Sequence, residues 1–420
     1  MSAMQAARVR AAARTAAAAA ALGLAVAQPA AAATAKTPIR IAVIAPFAAI
    51  DGASIVNAAR MATDEINAAG GIDGRQIKLY TYDDHASATE GVRAFQRAAK
   101  QDHAVAVLGV FTSEVALAVE PWSARLHVPF LITGAASDQL LRRIHHDYAR
   151  YKYAFMTNLN SVFLAKSVCD ASHDILVKDF GYKTAVVMSE DAAWTKPLDQ
   201  EYLKCLPTDG LKVLDHVRFS PDTTDFTPIY DKIEGFHPDA IITGIAHVGV
   251  KPTVQWHDAR VPALLAGWSS QAGASTFWNA TNGATEGVIT GNLGAPGAAL
   301  TRKSNAFSDA YTKKFKTTPA YNSYTTYDAF YILKAAIERA HSTKPDALVK
   351  ALEKTDYVGT IGREQYYGHD STFAHGLKYG KDYVSGVALQ WQNGKQVVIW
   401  PEHAANGKPV LPGFVKQASG

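Results

Sequence analysis

The segment IRIAVIAPFAAIDGASIVNAARMATDEINAAGGIDGRQIKLYTY, Ile39 to Tyr82, decides the fold class. Ile39 to Ala45 are aliphatic apart from Arg40, the pattern of a strand buried on both faces. Ile55, Ala59, Ala62 and Ile66 then fall on one helical stripe, and Gly70 and Gly71 stop it as a left-handed C-terminal cap. Gln76 to Tyr82 reads as the next strand. A strand, a helix and a strand in succession form a βαβ unit, which implies parallel strands and a right-handed crossover.

The rhythm continues outward from this unit. A helix with Val92, Phe95 and Ala99 inward leads to the strands AVAVLG, ending at Gly109, and VPFLIT, Val128 to Thr133. It then restarts. SVFLAKSVCDASHDILVKDFG, TKPLDQEYLKCL, FTPIYDKIEGF and VKPTVQWHDA read as helices, alternating with the strands TAVVMSE, LKVLDHVRF, DAIIT and VPALLAG. VALQWQNGKQVVIWP differs, being two short strands about an Asn-Gly turn, a β-hairpin. The expected fold is α/β, with two doubly wound parallel-sheet lobes, and 420 residues exceed what one hydrophobic core usually serves.

Apolar content of 48% and charged content of 19% describe a soluble globular chain. Residues 1–33 carry Arg8, Arg10 and Arg14, an apolar run and Ala-x-Ala sites, the layout of a secretory signal peptide. Setting aside those three of the 42 basic residues leaves 39 against 38 acids, so the charge balance points to no polyanionic partner. No basic cluster is interleaved with aromatics, which argues against nucleic acid. The two cysteines, Cys169 and Cys205, are expected to pair in an oxidising compartment. Neither a zinc spacing nor a cofactor loop occurs; AGGIDGRQIKLY lacks the phosphate-binding spacings and reads as a turn.

In open parallel sheets, ligands sit beyond the carboxyl ends of the strands. Those ends read PFAAIDGAS, GVFTSE, TGAASDQ, SEDAAW, TGIAHVG and AGWSSQAG. They are rich in hydroxyls and poor in catalytic groups. Ser113 has no nucleophile elbow, and nothing in the sequence sets His247 against it as a base. Ser113 and Ser137 are each expected at a helix N-terminus. There they serve either as caps or, converging, as a carboxylate site built of unpaired N–H groups and hydroxyls.

EINAAGGIDGRQIKLYTYDD, VAVLGVFTSE, VPFLITGAAS, TPAYNSYTTYDAFYILKAAIERA, the short GTIG and the C-terminal hairpin together resemble the leucine/isoleucine/valine-binding family. Those are periplasmic substrate-binding proteins of ABC importers with a type I bilobal fold. The resemblance implies a three-strand hinge. The first lobe would take residues 37–155 plus 289–362, and the second 156–288 plus 363–420. It implies that Ser113 and Ser137 bind the ligand carboxylate, with Ala135 offering a carbonyl and Ala136 beside them. It places Trp194 and Tyr321 as ligand-facing aromatics and Ile50 where a family tryptophan can cover the ligand, with His247 also at the site.

Members that bind α-amino acids offer an acid from the loop after the strand matching VPALLAG. Here that loop is GWSSQAG, with Ser269 at the acid's place and Gln271 close by. An aromatic or apolar carboxylate therefore rivals an amino acid as ligand, with Phe47 and Trp268 also near strand ends. The expected protein is a monomeric, periplasmic, non-enzymatic and cofactor-free binder of a small molecule, partnered by membrane permease subunits. The alternatives are a ligand-sensing receptor subunit of the same fold and a secreted two-lobed hydrolase.

Overall fold

The computed structural model describes residues 36–417, so the expected leader at 1–33 lies outside the described residues. Strands β1 (Ile39–Ala45), β2 (Ile77–Asp83), β3 (Ala106–Gly109), β4 (Phe130–Ile132) and β5 (Ala154–Met156) form one parallel sheet in the order β2-β1-β3-β4-β5. Helices α1 (Ile50–Ala68), α2 (Ala88–Lys100), α3 (Ser113–Leu126), α4 (Gln139–His146) and α5 (Tyr148–Tyr151) connect them. The stripe Ile55, Ala59, Ala62 and Ile66 is buried, and Gly70 and Gly71 take φ of 100° and 81°. On α2, Phe95 is buried as expected, with Ala94 and Ala98 beside it rather than Val92 and Ala99.

The second lobe repeats the plan. Helix α6 (Ser161–Ser172) is followed by β6 (Thr184–Glu190), α7 (Thr195–Thr208), β7 (Lys212–Phe219), α8 (Thr227–Glu234), β8 (Ala240–Ile245), α9 (Val250–Asp258), β9 (Leu264–Ser269) and α10 (Thr276–Ala280). Its four strands are parallel in the order β7-β6-β8-β9. Strand β10 (Ile289–Asn292) precedes α11 (Ser304–Phe315), α12 (Tyr321–Ala340), α13 (Pro345–Leu352) and the short pair β11 (Tyr357–Val358) and β12 (Arg363–Glu364). Helix α12 packs along α1, returning this stretch to the first lobe. The chain closes with the hairpin β13 (Val387–Gln392) and β14 (Lys395–Trp400). Its turn residues Asn393 and Gly394 have φ of 51° and 72°, the left-handed pair that a two-residue hairpin turn demands. Cys169 on α6 and Cys205 on α7 are joined by a disulfide.

Two expected boundaries shift. Strand β10 is hydrogen-bonded to β13, so residues 289–292 lie with the second lobe and the return to the first begins after Asn292. Residues after 362 also do not pass at once to the second lobe. Met156 bridges to Gly376, and the Phe155 ring stacks on His375 with centroids 4.0 Å apart, which holds the segment to the edge of the first sheet there, before Tyr379 stacks on Phe163 and bonds to Asp170 of α6. A resemblance supplies the order of crossings. The hydrogen bonds of this excursion, particular to the chain, place them.

Beneath α12 two acids are buried together. Asp328 Oδ2 accepts from Thr360 N (2.7 Å) and Thr360 Oγ1 (2.5 Å), while Asp328 Oδ1 and both Glu364 oxygens have no partner. A Cβ on Gly359 would stand 2.1 Å from Glu364 Oε1 and 2.6 Å from Asp328 Oδ2, so glycine is what lets the backbone pass. Burial, joined for Glu364 by the charge of Asp328, holds both acids protonated to higher pH than free carboxyls. Folded-state values above unfolded ones mean that this contribution is fully present below the unfolded carboxyl range and is lost as pH rises through the folded values. As pH rises from the ordinary carboxyl range through the pair's raised values, Glu364→Gln is expected to lose about 1–2 kcal/mol less stability than the wild type in urea unfolding. Identical losses would show that the pair holds no shared proton.

Candidate functional site

In the first sheet the strand order reverses direction between β1 and β3, and in the second between β6 and β8. Such points leave a crevice beyond the strand ends. The loops after β3 and β4 meet those after β6, β8 and β9 across the gap between the lobes, around a small cavity. From the first lobe it is lined by Phe111, Thr112, Ser113, Ala136 and Tyr321. The second lobe contributes Leu164, Trp194, His247, Trp268 and Ser270. The Trp268 and Tyr321 rings meet edge to face at 5.8 Å, and Ala193 N donates to Glu114 Oε1 at 2.7 Å, so the two lobes touch on both sides of the space.

The hydroxyl cluster is tightly built. Ser113, the first residue of α3, accepts at Oγ from Ala136 N (3.2 Å) and Ser137 N (3.1 Å), which leaves its own proton free to donate. Thr112 Oγ1 and Ser137 Oγ are buried without a partner. Three hydroxyl donors thus gather where the backbone turns. Of the carbonyls nearby, Gly134 O takes Tyr321 OH (2.8 Å) and Asn158 Nδ2 (3.0 Å), and Ala136 O takes Ser161 N (2.7 Å) and Ser161 Oγ (2.9 Å), while Ala135 O accepts no hydrogen bond from the described residues.

Opposite stands an acid–imidazole pair. Glu190, fully buried at the end of β6, accepts from Trp194 Nε1 (2.9 Å), Ala246 N (3.0 Å) and His247 N (2.9 Å), and meets His247 Nδ1 at 2.5 Å. Burial pushes the Glu190 carboxyl up, but the bond and charge of His247 and the other donors outweigh it and hold the group below the usual range. Burial likewise works against the charged imidazole, yet Glu190, then Glu114 and Asp51, raise His247 overall. Asp51, near the start of α1, is buried, and that burial lifts it to about 7 against bonds from Ser270 and Asn322 and the charge of His247.

Of the residues singled out from sequence, Ser113, Ala136, Trp194, Tyr321 and His247 line one cavity. The others stand behind or beside it. Ala135 is buried, its N–H bound to Val110 O at 3.0 Å. Ser137 does not begin a helix: α4 starts at Gln139 with Asp138 before it, and Ser137 is held through its N–H by Ser113. Ser269 is the last residue of β9 and its N–H bonds to Thr290 Oγ1 (2.9 Å), so Ser270 faces the cavity instead. Successive strand residues point to opposite faces, and a shift of one residue exchanges them. Gln271 props the loop, donating to Ala246 O (3.1 Å) and His247 O (3.4 Å). Ile50 opens α1 outside the lining, and Phe47 also lies outside it. Asp51, Glu190 and Thr112 were not singled out, although each stands in a strand-end loop, the signal that marked the others.

The description "Periplasmic binding protein" fits residues 38–381. The chain belongs to the periplasmic binding protein family. Within that family it is 28% identical to the Leu/Ile/Val-binding protein BraC3 of Rhizobium johnstonii, over 81% of this chain and 90% of that one. Its fold is similar to that of LivJ, the branched-chain amino acid transporter substrate-binding protein of Streptococcus pneumoniae, solved with isoleucine (TM-score 0.73, 20% identity, covering 86% of this chain and 97% of that one). It is equally similar to a solute-binding protein of an ABC transporter from R. palustris, solved with benzoate (TM-score 0.71, 16% identity, covering 90% and 99%). The relatives are named as binding proteins, and the family is periplasmic by description.

Proposed function

We propose that this periplasmic binding protein is the substrate-binding component of an ABC importer and captures a small aromatic or apolar carboxylic acid that carries no ammonium group. The observation behind this reading is the pairing of free hydroxyl donors at Thr112, Ser113 and Ser137 with carbonyls at Gly134 and Ala136 that are already occupied. Donors suit a carboxylate, and charge-assisted bonds from hydroxyls to it are strong. An ammonium needs acceptors, and the Gly134 and Ala136 carbonyls beside the hydroxyls are engaged, which leaves it Ala135 O alone of the three. The walls supplied by Phe111, Trp194, Trp268 and Tyr321 favour a flat apolar body. The lobes would close over the ligand by hinge motion, and the loaded form would dock on membrane permease subunits outside the cytoplasm. The protein acts as a monomer after its leader is cleaved, and the site carries out no catalysis.

A second reading, a branched-chain amino acid ligand, is favoured by the Asp51 carboxyl behind Ser270 and by the similarity to a Leu/Ile/Val-binding protein and to LivJ with isoleucine. Thermal melting separates the two. An acid at a hundredfold over its dissociation constant stabilises the fold by about 2.7 kcal/mol. Benzoate-type acids are expected to raise the melting temperature while isoleucine and leucine leave it unchanged; the reverse pattern would overturn the aromatic-acid reading.

A further inference from the structure

The wall of the cavity that carries Ser270 has a polarity opposite to that of the hydroxyl cluster. Ser270 Oγ has one proton and two acceptors for it within the protein, Asp51 Oδ2 at 3.3 Å and Ala246 O at 3.4 Å. Asp51 is itself anchored from its far side by Asn322, whose Nδ2 donates to Asp51 O (3.1 Å) and Asp51 Oδ1 (3.3 Å), while Asn322 Oδ1 is buried with no partner. Both side-chain bonds to this carboxyl are long, at 3.3 Å, and Asn322 Oδ1 beside it is an unmet acceptor. With its proton drawn toward Asp51, the Ser270 hydroxyl turns lone pairs to the cavity that it lines.

We propose that Ser270, oriented by Asp51, selects ligands that bear a hydroxyl donor away from their carboxylate. Ser270 touches the ligand; Asp51 is a positioning residue that acts through it. The inference rests on the aromatic-acid reading and sharpens it from an apolar acid to a hydroxylated one. A site built to accept a hydroxyl proton discriminates against the analogue lacking it, because the buried acceptor is then left unpaired. Other charged groups face Asp51 as well. His247 approaches from the loop after β8, with Glu190 behind it, and Tyr321 lies on α12.

The test is calorimetric titration with benzoate, 3-hydroxybenzoate and 4-hydroxybenzoate at about pH 8, where Asp51 is ionised and phenols remain protonated. One hydroxylated acid is expected to bind the wild type at least about tenfold more tightly than benzoate. That ratio should collapse to within about threefold in both Asp51→Ala and Ser270→Ala. Ser270→Ala removes a single oxygen and decides the matter if Asp51→Ala does not fold. Binding of all three acids without preference, or a ratio that survives in Ser270→Ala, would overturn the inference alone. Absence of binding by any of them to the wild type would overturn the aromatic-acid reading beneath it.

Discussion

Glu190→Ala is expected to destabilise the protein by about 3–5 kcal/mol, the cost of removing one partner from a buried, hydrogen-bonded charge pair. The side chain has no exposure and serves four donors, all on three residues of the second lobe's cavity wall, Trp194, Ala246 and His247. Its removal strands the His247 imidazole and three N–H groups with no water to replace the acceptor. Urea or guanidinium unfolding measures the effect, and a loss below about 1 kcal/mol would mean that the pair adds little.

The pH window follows from the directions of shift. The lowered Glu190 value gives a contribution present above the unfolded carboxyl value and lost as pH falls through the folded one. The raised His247 value gives one fully present below the unfolded imidazole value and lost as pH rises through the folded one. The stability difference between wild type and Glu190→Ala should therefore be greatest between those limits. It should narrow on both sides.

Ser113→Ala is expected to weaken carboxylate binding by about 1–3 kcal/mol, roughly fivefold to 150-fold, and to lower stability by a similar amount. Both losses come from one oxygen. It holds the N–H groups of Ala136 and Ser137 while its proton stays available to a ligand. Ser137→Ala should behave differently. Its hydroxyl has no partner in the protein, so binding should fall while the unfolding midpoint moves little. Paired calorimetry and denaturation on the two variants distinguish the roles. Unchanged affinity in both would reduce the cluster to a structural turn, and equal stability losses would refute the asymmetry.

Much of the architecture was legible because it is written in local periodicity. IRIAVIA and TAVVMSE form strands over the residues read from sequence, and the Asn-Gly turn forms the hairpin. Strand β5 was not legible: AFM is three residues long and too short to show a period. The lobe boundaries shifted because the excursion through Gly376 and His375 is held by hydrogen bonds and a ring stack, and neither leaves a pattern in composition.

The site divides along the same line. Ser113, Trp194 and His247 could be found because they follow strands, and the ends of parallel strands face a common crevice, whereas Tyr321 came from the family resemblance alone. Which side chains answer one another was not visible. Glu190 and His247 are 57 residues apart, and Asp51 and Ser270 are 219 apart, so only the packing of two sheets against one gap brings them together. Ser269 and Ser270 show the limit most sharply. Both are small hydroxyl residues at one strand end, yet Ser269 closes β9 with its backbone bound to Thr290 while Ser270, one residue beyond the strand, lines the cavity. Sequence periodicity set the elements and the ends at which chemistry could gather. The pairing of distant charges and the facing of single side chains were settled by the fold, because those interactions act through space and carry no spacing along the chain.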